Sequence, residues 1–302
     1  GANASAIDLN PGDIIVAAGT HSDTGRNGAL FHVDPLTGTR TQIGNAFRWT
    51  GTPNGIAVDG DLNIIVAAGT HTDTGRDGKL LRVDPVTGNR TQIGTNFGWT
   101  DTPNDVVIDA NGDLIVAAGT HSDTGRAGKL FRVDPVTGNR TQIGSDFSWT
   151  DTPNTVAIES NGDLIVGAGT QSDTGRSGKL YRVDPITGSR TQIGSNFGWT
   201  EAPQGVAIDS NGDIIVAGST QTDTGRNGKL LRVNPTNGNR TQIGSDYGWT
   251  ETPLDVVLND AGNFYVGGGT WSDTGRNGIL FDVDSSSGAR SQVGPTFSWT
   301  TL

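Results

Sequence analysis

Six aspartates, six arginines and six tryptophans recur at the same three places in successive stretches of fifty residues. The sets are Asp23, Arg26 and Trp49; Asp73, Arg76 and Trp99; Asp123, Arg126 and Trp149; Asp173, Arg176 and Trp199; Asp223, Arg226 and Trp249; Asp273, Arg276 and Trp299. An indole face can cover the apolar side of a sugar ring, while a guanidinium and a carboxylate bond to its hydroxyls. The same groups can also satisfy one another. Arginine can pair with aspartate or lie over tryptophan, clasping neighbouring units.

Other reactive types are sparse. His21, His71 and His121 share one position that continues as Gln171, Gln221 and Trp271, and His32 is the fourth histidine. No nucleophile or orienting acid marks any of them as a general base, so they read as loop residues. The segment Asp23-Thr24-Gly25-Arg26-Asn27-Gly28 faintly resembles a calcium loop. Its ligand position becomes Ala127 and Ser177 elsewhere, and an arginine sits inside it, which a site needing six or more oxygens does not favour. Arg40, Arg90, Arg140, Arg190, Arg240 and Arg290 form a further column, expected on the opposite face or outer edge and bonded to turn carbonyls or a nearby aspartate.

The elements that position these residues follow from the repeat. In the third unit Val106–Ile108 runs into the Asn111-Gly112 turn, and Leu114–Ala118 returns as a second apolar run. Lys129–Val133 alternates polar and apolar residues, Asp134–Gly138 is another turn, and Arg140–Ile143 is a polar fourth strand. The helical period is absent. Four short antiparallel strands per unit, six times over, predict an all-β, six-bladed β-propeller. One domain spans residues 1–302, with blades at 1–50, 51–100, 101–150, 151–200, 201–250 and 251–300. Ala2–Asp8 aligns with Pro103–Asp109, so the chain starts on an inner strand and ends after an outer one. No strand is therefore expected to be exchanged at closure, and blades one and six should meet through side-chain packing alone.

Composition excludes several classes. Apolar residues are only 32%, but 46 glycines restore an ordinary total for a folded chain. Runs such as Ile14–Ala18 are too short to span a bilayer as a helix. No cysteine is present, which removes disulfides, thiolate metal sites and thiol catalysis. The net charge of −11 repels phosphate backbones, so neither nucleic acid nor membrane insertion is expected. The acidic surface and the lack of cysteine and methionine point to an extracellular or periplasmic monomer.

Thr52-Pro53-Asn54-Gly55-Ile56-Ala57-Val58-Asp59, followed by Ile64-Ile65-Val66-Ala67, resembles two related groups of six-bladed propellers. These are the NHL-repeat proteins and the gluconolactonase and senescence-marker-protein group. The third strand and its turn, Leu81–Gly88, are similar to theirs as well. The lactonase-like group holds a divalent metal at the channel mouth with asparagine and acidic residues, some at the Asn/Asp of Pro-Asn/Asp-Gly. That position reads Asn3, Asn54, Asn104, Asn154, Gln204 and Leu254 here, and the nearest acids are Asp105 and Asp255. The group's N-terminal glutamate ligand has no match. Hard cations prefer carboxylates, so no cofactor is expected, with a divalent cation in the channel as the alternative. The plain reading of each asparagine is a cap on its own loop backbone.

Near-equal loops repeated six times suit multivalent recognition better than one asymmetric catalytic site. The first expectation is therefore a non-enzymatic recognition propeller for a neutral glycan or a protein partner. Six-bladed fucose-binding fungal lectins are similar in the residue types of their inter-blade sites. A second is a metal-dependent, lactonase-like hydrolase with an axial site at Asn54, Asn104, Asn154, Asp105 and Asp255. A third is a structural or engineered scaffold ring without a small ligand.

Overall fold

A computed structural model describes residues 7, 9–19, 28–47, 52–69, 78–98, 101–119, 128–148, 151–169, 178–198, 201–219, 228–248, 251–269 and 278–297. These residues form six antiparallel sheets and no helix. Five sheets have four strands in sequence order. The first sheet shows Ile14–Ala18, Ala29–Val33 and Arg40–Ile43; its expected inner strand lies outside the described residues except for Ile7. No described strand pairs into the sheet of another blade.

Blade three illustrates why the strands fall where they do. Its inner strand Pro103–Ile108 pairs with Leu114–Ala118 so that Ile108 faces Leu114 across the turn. Asp109 organises that turn, its Oδ1 accepting from the backbone N–H of Asn111 at 2.8 Å and of Asp113 at 3.1 Å. Lys129–Val133 and Arg140–Gln142 complete the sheet outward. The second strand is fully buried because both of its faces meet a neighbouring blade. The hydrophobic cores therefore lie between blades: Ile65, Leu80 and Phe97 of blade two pack with Val106, Leu114 and Val116 of blade three. Burying each such side chain stabilises the ring by about 1.5–3 kcal/mol.

The perimeter repeats one contact six times. The turn glycine Gly138 has φ +70°, and a methyl on it would lie 2.1 Å from the Cα of Gly94 in the preceding blade. Only glycine permits both the left-handed backbone and that approach. The same pairing closes the ring between Gly38 and Gly294.

The Arg40 column does bond turn carbonyls, but in the adjoining blade rather than in its own hairpin. Arg140 lies 4.0 Å over the Phe97 ring, and its Nη2 donates to the Asn96 carbonyl at 3.0 Å. Arg40 makes the equivalent clasp across the closure: it lies 3.9 Å over Phe297 and donates to the carbonyls of Pro295 at 2.5 Å and Thr296 at 3.1 Å. Closure thus combines side-chain packing with arginine–carbonyl hydrogen bonds. The reason is geometric, since the outermost strand of one blade faces the outgoing loop of the blade before it.

Candidate functional site

The inner strands Pro53–Val58, Pro103–Ile108, Pro153–Ile158, Pro203–Ile208 and Pro253–Leu258 contact one another in succession around the axis. Each carries a bulge at its second residue. In blade three Pro103 pairs with Ala118 and Asp105 with Ala117, leaving Asn104 without a partner across the ladder. A bulge re-aims the side chains beside it.

The asparagines do not cap their own loops. Asn54 Nδ2 donates to the Pro103 carbonyl at 2.9 Å, Asn104 to Pro153 at 2.8 Å and Asn154 to Pro203 at 3.2 Å. The bulge turns each amide toward the next blade, which corrects the sequence expectation. Their Oδ1 atoms are buried and have no hydrogen-bond partner. Gln204 instead turns its amide N–H to the carbonyls of Ala202 and Ser219 in its own blade, both at 3.3 Å. The donor to Pro253 in that blade is the Ser219 hydroxyl at 3.1 Å.

One residue further along, the inner strands read Gly55, Asp105, Thr155, Gly205 and Asp255. Asp105 and Asp255 stand three blades apart, half a turn of the ring. Asp105 Oδ1 accepts from the Val106 N–H at 2.8 Å. Its Oδ2 accepts from the Val156 N–H at 2.9 Å and the Thr155 hydroxyl at 3.0 Å. Asp255 Oδ1 accepts from the Val256 N–H at 2.8 Å. The neighbouring glycines make room, because a methyl on Gly55 would fall 2.5 Å from Asp105 Oδ1 and one on Gly205 2.7 Å from Asp255 Oδ1.

Both carboxyls resist ionisation. Burial, together with the charge of Asp255, pushes Asp105 up to about 7, against the pull of its three donors. Burial pushes Asp255 up to about 6. Water reaches the Asp255 side chain, yet low-dielectric protein surrounds it, so its charge remains poorly solvated. Each carboxyl is thereby held nearer the range where acid–base chemistry is most effective.

The donor set does not fit a divalent cation. The orphaned oxygens of Asn54, Asn104 and Asn154 are neutral, Gln204 is turned away and Leu254 has no donor. The two carboxylates sit in opposite blades, and Asp105 is already engaged by three donors. Among the described residues no three of His, Cys, Asp and Glu are grouped to hold a metal. The orphaned oxygens are suited to hydrogen-bond donors of a ligand instead.

The structure places Asn54, Asn104, Asn154, Asp105 and Asp255 on the inner strands of blades two, three, four and six, while Asn3 lies outside the described residues. So do all eighteen aspartates, arginines and tryptophans of the loop sets, and His21, His71 and His121. His32 Nε2 lies 3.0 Å from Asp13 Oδ2, away from the inner strands. Sequence reasoning missed Thr155. Its signal was available: a lone hydroxyl in a column of glycine and aspartate.

No curated protein matched the sequence. Among solved structures, the periplasmic gluconolactonase of Pseudomonas aeruginosa superposes with a TM-score of 0.57 at 15% identity, covering 94% of this chain and 95% of that one. Regucalcin from Agrobacterium tumefaciens, described as a calcium-binding protein, gives 0.56 at 18% identity, covering 87% and 84%. Identities this low speak to fold. The family model of the SMP-30/gluconolactonase/LRE-like region matches residues 25–246, most of the chain. With its six blades and their inner-strand signature, the chain belongs to the SMP-30/gluconolactonase/LRE-like family.

Proposed function

We propose that this chain is a lactone hydrolase whose site is the axial acid pair. The observation that carries the reading is that Asp105 and Asp255, on inner strands three blades apart, are both pushed up from the ordinary carboxylate value toward neutrality. Family membership supports it. Asp105, when ionised, takes a proton from a water in the channel. The oxygen of that water adds to the lactone carbonyl carbon, the ring C–O bond breaks, and the proton passes to the released alkoxide oxygen. The product is the open hydroxy acid. The orphaned oxygens of Asn54, Asn104 and Asn154 accept hydrogen bonds from substrate hydroxyls and orient the ring. A periplasmic or extracellular location is part of the proposal and agrees with the periplasmic gluconolactonase among its structural neighbours.

The test is hydrolysis of γ- and δ-aldonolactones by the wild type, Asp105→Asn and Asp255→Asn. General acid–base catalysis supplies about 100-fold or more, so Asp105→Asn should lose at least that factor in kcat. Undiminished turnover in Asp105→Asn would sink the reading, as would a wild type inert toward the whole panel.

A further inference from the structure

The two axial acids stand in like positions on the inner strands of blades three and six. Gly55 precedes Asp105 and Gly205 precedes Asp255, each leaving space beside an Oδ1. Each Oδ1 accepts from the N–H of the following residue. Of these two acids, only Asp105 also has a hydroxyl bonded to it among the described residues. Thr155 Oγ1 accepts from the Val206 N–H at 3.2 Å, so its own hydrogen is free to point at Asp105 Oδ2, 3.0 Å away. Thr155 is 2% exposed, which holds that arrangement. With the Val156 N–H on the same atom, Oδ2 has both lone pairs committed. Oδ1 has one left, on the side that Gly55 keeps clear.

We propose that Thr155 is a positioning residue that commits Asp105 Oδ2 and leaves Oδ1, beside Gly55, as the atom that gains and loses the proton. The inference rests on the hydrolase reading for its consequence in catalysis, but the assignment of the two oxygens stands on geometry. The chain of contacts runs from Asp105 in blade three through Thr155 in blade four to Val206 in blade five. It couples the ionisation of Asp105 to backbone two blades away. The groups adjoining Asp105 on the neighbouring strands, Gly55, Ala117, Thr155 and Val156, carry no charge. Asp255, across the axis, is the titratable group that acts on it among the described residues. The effect of Thr155 is therefore separable from any other local titration.

The experiment is a carboxyl ¹³C and amide ¹⁵N NMR titration of wild type, Thr155→Val and Thr155→Ser, run beside their pH–rate profiles. Valine keeps the shape and removes the donor. Losing a hydrogen bond to the charged form should move the Asp105 titration up by about one pH unit, with serine restoring it. The acid limb of kcat should move with it, whereas a merely structural threonine would lower stability without moving either. In wild type the amides of Val106, Val156 and Val206 should all follow the Asp105 titration, and this needs no variant to fold. Asp105 titrating unchanged in Thr155→Val, or a Val206 amide indifferent to pH in wild type, overturns the proposal. A shifted Asp105 titration without lactone turnover would leave this assignment standing and discard the hydrolase.

Discussion

The Ser219 hydroxyl donates to the Pro253 carbonyl at 3.1 Å, filling the place that an asparagine amide fills in the three preceding blades. The other blades have glycine at the position of Ser219, and Gln204 stands where the three preceding blades have asparagine. Two substitutions thus offset one another within a single blade. Ser219→Gly alone should strand the buried Pro253 carbonyl and cost about 1–2 kcal/mol. Adding Gln204→Asn should recover most of that loss. Chemical denaturation of both single variants and the double variant measures the coupling; strict additivity would contradict it.

The perimeter glycines are not equivalent to the inner-turn ones. Gly138 has φ +70° and contacts Gly94, whereas Gly112 has φ +87° with open space where a methyl would go. Gly112→Ala should cost about 1 kcal/mol of backbone strain. Gly138→Ala adds a backbone collision and should cost about 2–4 kcal/mol. Melting temperatures of the two variants, measured side by side, should differ in that order.

The axial pair makes stability depend on pH in a definite direction. Carboxyls raised above the unfolded value near 4 contribute stability at low pH, and that contribution disappears as pH climbs through about 6 and 7. Asp255→Asn removes the charge that Asp105 feels, so Asp105 should ionise at a lower pH. The loss of stability between pH 5 and pH 8, as defined by the two folded values, should then be smaller than in wild type. Thermal melts across that range provide the comparison.

Removal of metal should matter little. Among the described residues the inner-strand donors offer neutral amide oxygens and a divided acid pair, not the cluster of carboxylates a hard divalent ion requires. Chelator treatment should leave the melting temperature and any lactone turnover unchanged, and added calcium should not raise either. A marked calcium-dependent stabilisation would show that ligands outside the described residues complete a site.

The six-bladed fold was legible because the sequence repeats its turns at fixed spacing, from Asn111-Gly112 to Asp134–Gly138. Asp105 and Asp255 were visible as departures from that repeat. What the spacing did not reveal was the recipient of each hydrogen bond. Asn104 read as a local cap because a one-residue bulge leaves no mark in the alternation of side chains. For Arg140 the expected turn carbonyl could not be located, because its partner, Asn96, lies 44 residues earlier, in another blade. Both cases share one physical origin: in a ring of thin sheets, polar side chains at blade edges find their partners laterally.

That lateral bonding gives every blade the same rim. Since glycine backbones in contact fix every junction at the rim, from Gly44 with Gly88 to Gly38 with Gly294, the gauge of the ring does not depend on what its hub displays. At the hub the partners are specific instead: Asp105 relies on the space beside Gly55 and on the Thr155 hydroxyl of the next blade. The rim sets the spacing of the wheel, and the hub adds contacts that differ from blade to blade.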